Sequence, residues 1–139
     1  MKGDKAMSYK NTFIAVSEDS KVTTAIKPLP KKGRPTIASI EYDLISTNPY
    51  KFTEQDILFK TYLIKNNIES NSLDTLREEF FSKPKACFRA SPLVKKYGWG
   101  IHYDEQGKVA VYAVDSKSYK DMMKSNKVTI LKGMRSKKL

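Results

Sequence analysis

The hydrophobic period of this chain changes at Pro84, and that change constrains the fold more than any other feature. Before it, apolar residues recur at helical spacing: Ile37, Ile40, Leu44 and Ile45, then Ile57, Leu58, Phe59, Tyr62, Leu63 and Ile64, then Leu73, Leu76, Phe80 and Phe81. After it they alternate, as in Tyr97 to Tyr103 and Lys108 to Val114. A period of 3.6 lays one apolar stripe along a helix, whereas a period of two gives a strand one apolar face. The pattern predicts an α+β domain with a mainly antiparallel sheet. Its strands fall near 12–17, 86–91, 98–104, 108–114 and 128–134, packed against three to four helices near 36–46, 54–65, 73–82 and 116–124.

Local signals sharpen this outline. Thr53, three residues ahead of Asp56, has the form of a capping box, and the helix that follows is apolar around so much of its circumference that it is expected to be the most buried. Asp104-Glu105-Gln106-Gly107 reads as a hairpin loop. With Gly107 in the left-handed position of a bulge, Asp104 faces Lys108, and Trp99, Ile101 and Tyr103 share one apolar face with Val109, Val111 and Ala113. A slip of one residue would bring Lys108 among the aromatics. The other face holds Gly98, Gly100, His102 and Tyr112, with the Tyr112 ring expected over Gly100. Ala86 to Ala90, read as a strand, puts Cys87, Arg89 and Ser91 on one side. Ser116 is placed to cap the helix near 116–124.

Charge divides at the same place. The chain of 139 residues has a formal net charge of +11, but residues 1–82 carry 12 basic and 11 acidic side chains, whereas residues 83–139 carry 14 and 4. One basic run stands apart in the first half: Lys21, Lys27, Lys31, Lys32 and Arg34, with no acid between Ser20 and Ile40. Pro28, Pro30 and Pro35 deny it a regular helix, so residues 20–35 read as a semi-extended loop. A hydrophobic fraction of 40% suffices for a core, and the length suits one domain over 1–139, with 1–10 a loose tail and 133–139 a basic tail. Cys87 and His102 are each the only residue of their type, which leaves no disulfide framework and disfavours a metal site. No apolar run approaches the roughly 20 residues that cross a bilayer, and no hydrophobic signal region follows Met1. A cytoplasmic protein with no membrane partner and no cofactor is the expectation.

No catalytic motif is present, so the candidate sites are constellations. Cys87 with His102 has the elements of an activated thiol, beside Lys83, Lys85 and Arg89; the bland alternative is a small buried thiol and an unrelated imidazole. Arg89, Ser91, Lys95, Lys96, Tyr97 and His102, around glycines 98 and 100, can hold a small anion through guanidinium, hydroxyl and backbone donors. Against this, Arg89 can instead pair with a helix carboxylate such as Glu78 or Glu79, and the glycines can simply admit a ring. Lys31, Lys32, Arg34, Lys132, Arg135, Lys137 and Lys138 are candidate phosphate contacts, although a basic tail is often only a solvated end.

Arg89-Ala90-Ser91-Pro92-Leu93 and Tyr97-Gly98-Trp99-Gly100-Ile101-His102, with Asn11-Thr12-Phe13-Ile14, Asn48-Pro49-Tyr50-Lys51-Phe52-Thr53 and Met134-Arg135-Ser136-Lys137, resemble a family of small proteins catalogued as a domain of unknown function. The resemblance runs from about Asn11 to Lys138 and implies one complete domain; it supplies no activity, cofactor or site. From charge alone, the expected function is a basic binding module for a phosphorylated partner such as nucleic acid. The alternatives are an enzyme or sensor for a small anion, built on Arg89 to His102, and a protein-interaction adaptor.

Overall fold

Thr36 and Thr53 each open a helix by the same reciprocal device. In the computed structural model, which describes residues 9–136, Thr36 Oγ1 accepts from Ser39 N at 3.0 Å while Ser39 Oγ accepts from Thr36 N at 2.9 Å, and α1 (Ile37–Ser46) follows. Thr53 and Asp56 exchange equivalent bonds of 3.2 and 3.0 Å at the start of α2 (Glu54–Lys65). Each box satisfies two amides that a helix start leaves without partners. Asn67, in the left-handed region at φ 51°, ends α2, with bonds from Asn67 N to Ile64 O and from Ile68 N to Leu63 O closing the last turn. The third helix, α3 (Leu73–Phe80), buries no residue fully.

Four strands form one sheet among the described residues: β1 (Thr12–Ala15), β2 (Trp99–Tyr103), β3 (Val109–Ala113) and β4 (Thr129–Lys132), in the order β3-β2-β1-β4. The hairpin takes the predicted register. Trp99 opposes Ala113, Ile101 opposes Val111 and Tyr103 opposes Val109, while Asp104 N donates to Lys108 O and Gly107 sits at φ 81°. Apart from 86–91 and a short helix that follows it, the elements lie inside the predicted ranges.

The sheet is mixed rather than purely antiparallel. β1 pairs with β2 in antiparallel sense and with β4 in parallel sense. The cause is the helical connection α5 (Lys117–Lys124), which links β3 to β4 across the sheet; crossovers of this kind return the chain in the same direction. One face, with Ile14, Ile101, Tyr103 and Val109, packs on Ile45, Ile57, Phe88, Leu93 and Val94 from the helical layer. The opposite face packs Phe13 and Ala15 against Tyr119 of α5. Among the described residues no helix is long and apolar enough to cross a membrane.

Three local expectations are corrected. Residues 86–91 are not a strand: Phe88–Ala90 form a 3-10 turn, and a short helix, α4 (Pro92–Lys95), follows. Pro92 at the first helical position, with Ser91 Oγ accepting from Leu93 N at 3.1 Å, starts that helix, and turn bonds from Ala90 N and Ser91 N take amides that a strand would offer to a neighbour. Secondly, α2 is not the most buried helix. It buries Glu54, Ile57, Phe59 and Thr61 but leaves Ile64 exposed, whereas α1 buries five of ten residues. Thirdly, the rings closest to Gly100 are Phe13 and Tyr119, with Tyr112, its partner across the hairpin, edge-on to Phe13. A Cβ there would lie 2.5 Å from Phe13 Cζ and 2.8 Å from Tyr119 Cε2, so only glycine lets both rings approach.

Candidate functional site

Two buried glutamates hold the segment that contains Arg89 and Ser91. Glu41 of α1 is 4% exposed and accepts from Ser91 Oγ at 2.7 Å. Glu54 of α2, also buried, accepts from Phe88 N at 3.3 Å and from the Tyr103 hydroxyl. Neither carboxylate has a cationic partner among the described residues. Burial therefore pushes the Glu41 carboxyl up to about 7, with the Ser91 bond opposing and Glu54 adding to the shift. Glu54 is raised by burial too, against the bonds from Tyr103 and Phe88. A carboxyl in such a setting is stable in the interior when it carries its proton.

From this anchored turn the chain reaches one end of the sheet. Because β1 and β4 run parallel and β2 runs opposite, the ends of β1 and β4 and the start of β2 lie together. Ser17 N donates to Val94 O, Gly133 N to Ala15 O and Met134 N to Arg89 O, at 2.9, 2.8 and 2.7 Å. Arg89 Nε donates to Lys132 O at 2.7 Å, not to Glu78 or Glu79. Glu18 is the brace of this end: Lys132 Nζ and Arg135 Nη2 reach its two oxygens at 2.8 and 2.6 Å, and Ser136 N donates to Asp19. The Lys132 hydrogen bond, then that of Arg135, holds the Glu18 carboxyl below its usual range. Lys95 is half-buried and Lys96 exposed, and neither pairs with an acid among the described residues.

The predicted site residues thus fall into groups. Arg89, Lys132 and Arg135 meet at the sheet end; Lys95 and Lys96 follow Val94, whose carbonyl accepts from Ser17 N there, and Tyr97 comes next, its carbonyl accepting from Ile26 N at 2.9 Å. Ser91 is buried on Glu41. Gly98 and Gly100 are covered by side chains, Gly98 by Val22 and Val114, so neither presents bare backbone to an anion. Lys31, Lys32 and Arg34 form a separate turn on the loop before α1. Lys137 and Lys138 lie outside the described residues.

His102 belongs to a third place. On the sheet face opposite Tyr103, its Nδ1 lies 2.7 Å from the Tyr50 hydroxyl, which lies 2.6 Å from the Tyr112 hydroxyl. Tyr50 reaches there from a left-handed conformation, φ 59°, that an aromatic residue adopts only when its surroundings enforce it. Here Tyr50 N donates to Val109 O and Val109 N donates to Phe52 O, which fasten the loop to the free edge of β3. Burial pushes the His102 imidazole below its ordinary value, opposed by Asp104, and burial likewise raises the Tyr50 hydroxyl. Cys87 contacts the Tyr9 hydroxyl at 3.3 Å, and Tyr9 stacks edge-on against Tyr103, so the sheet separates Cys87 from His102. Burial, then the Cys87 contact, pushes Tyr9 up to about 12. Among the described residues no group of three or more His, Cys, Asp or Glu is arranged to hold a metal ion.

Sequence reasoning missed Glu41, Glu54, Glu18 and Tyr50. Glu41 stands between Ile40 and Leu44 on the α1 stripe, a charged residue on an apolar face, and that was its available signal. No curated protein and no solved structure matches this chain. The model of a family of unknown function, DUF6157, matches residues 4–139, and the chain belongs to that family.

Proposed function

We propose that this protein binds a phosphate-bearing polymer, duplex nucleic acid, through the basic end of its sheet. The meeting there of Arg89, Lys132 and Arg135 carries the reading, with Lys95 and Lys96 following Val94, whose carbonyl accepts from Ser17 N at the same end of the sheet. Glu18 and Asp19 offset part of that charge but fix Lys132, Arg135 and Ser136 in place. Cations held on a rigid sheet end suit phosphates at fixed spacing, and binding of this kind is sequence-independent and salt-dependent. Of the aromatics nearby, Trp99 is engaged, packing on Tyr42 and donating to Ile26 O, and Tyr97 is half-buried. Single strands bind by stacking several bases on exposed aromatics, and one half-buried ring is a poor platform for that, so duplex is favoured over single strands.

A small-anion enzyme or sensor draws less support, since Ser91 is committed to Glu41 and His102 to Tyr50 on the other sheet face. The test is fluorescence anisotropy of a labelled mixed-sequence duplex and its single strand across a salt series. Duplex should bind the tighter, with affinity falling steeply as salt rises. Absence of binding at about 50 mM salt, where phosphate contacts are strongest, would overturn the reading.

A further inference from the structure

The basic loop before α1 differs from the sheet end in what surrounds its charges. It is pinned to the body by Ala25 N to Asp115 Oδ1 at 3.2 Å, by Ile26 N to Tyr97 O and Trp99 Nε1 to Ile26 O at 2.9 Å each, and by the buried ring of Pro28. It then leaves the body. Lys31 and Arg34 exchange two backbone bonds of 2.9 Å, with Lys32 at φ 50° and Gly33 at φ 74°, the left-handed pair that a tight two-residue turn requires. A Cβ on Gly33 would meet nothing within 4 Å, so the tip stands clear in solvent.

Apolar side chains stand there with it. Leu29 is 64% exposed, Ile26 52% and Ile37 48%, three of the seven exposed large apolar residues among those described. Single exposed apolar residues are ordinary; three within twelve positions, interleaved with Lys27, Lys31, Lys32 and Arg34 and free of acids, are not.

We propose that residues 26–37 form a docking surface for an anionic lipid bilayer, with the cations at the headgroups and Leu29, Ile26 and Ile37 in the acyl boundary. A nucleic-acid backbone gains nothing from exposed leucine and isoleucine, and a peptide needs a groove where this tip is convex. A bilayer interface takes both components, burying the apolar groups while its acidic headgroups meet the lysines. The lack of a spanning helix among the described residues bears on crossing a membrane, not on lying against one.

Co-sedimentation with extruded phosphatidylcholine vesicles, with and without roughly 30% phosphatidylserine, tests this directly. The full chain should bind only the vesicles that contain phosphatidylserine. Leu29→Ser with Ile37→Ser, at exposed positions where the fold tolerates change, should weaken binding about tenfold. Lys31→Gln, Lys32→Gln and Arg34→Gln together should abolish it, and Lys95→Gln with Lys96→Gln should leave it intact, which separates this proposal from the sheet-end reading. Binding that ignores phosphatidylserine, that survives the serine pair unchanged, or that is lost with Lys95 and Lys96 would overturn it, as would a loop variant that loses duplex DNA and not vesicles.

Discussion

At the end of the sheet, cations are braced: Arg89 on a strand carbonyl, Lys132 and Arg135 on Glu18, and the turn before Lys95 on two buried carboxyls. In the loop before α1, Lys31, Lys32 and Arg34 have no acid partner among the described residues, and their neighbours are exposed leucine and isoleucine. Both regions are basic, yet one is a rigid arrangement of charges and the other a projecting tip with apolar content. The comparison teaches that like charge can stand in unlike settings, and on the two proposals it is the setting beside each cation, not net charge, that selects the partner. Fixed cations complement a fixed lattice of phosphates; cations among apolar groups complement an amphipathic interface.

The largest expected effect concerns the bracing. Glu41 is raised from about 4.5 to about 7, so its contribution to stability is complete below the lower value and is lost as pH rises through the upper. The loss is on the order of 3 kcal/mol. Glu41→Gln keeps an acceptor for Ser91 and removes the titration. Urea unfolding of both proteins at pH 5 and pH 8 should show a gain for the variant at pH 8 that shrinks towards pH 5; a gain equal at both values would show that Glu41 does not titrate in this window.

Next in size, Lys95→Gln with Lys96→Gln should weaken duplex binding about thirtyfold at low salt, measured by anisotropy. Glu18→Gln should act in the other direction. It releases Lys132 and Arg135 from their acid and should raise duplex affinity a few-fold; a decrease would mean that the geometry Glu18 imposes matters more than the charge it cancels. The smallest effect sharpens the contrast from the other side: Leu29→Ser with Ile37→Ser should leave duplex affinity within about twofold.

Much of this architecture was legible in the residues. Alternation and the Asp104–Gly107 loop specified the hairpin and its register, because a one-residue slip would have buried Lys108. Thr53 with Asp56 marked the start of α2. The strand read over 86–91 failed for a local reason, since the Ser-Pro pair is a stronger helix start than five alternating residues are a strand, and Glu54, distant in sequence, claims the Phe88 amide. The parallel pairing of β4 depends on the path of α5 across the sheet, which no short pattern encodes. For the candidate site, charge asymmetry pointed to the second half of the chain, but the convergence of Arg89 with Lys132 and Arg135 comes from strand order. Tyr50 was hidden because its left-handed backbone is imposed by the edge of β3, not by its own sequence.

The most direct test of the central claim is the salt dependence of duplex binding, compared side by side for the unaltered protein, the Lys95→Gln with Lys96→Gln variant, and the variant with Lys31, Lys32 and Arg34 all changed to Gln. Plotted as log affinity against log salt, each phosphate contact contributes a slope of about −0.9. The account predicts that the slope becomes shallower by about two units when Lys95 and Lys96 are replaced and stays unchanged when the loop cations are replaced. A slope that shallows with the loop variant and not with the sheet-end variant would contradict it.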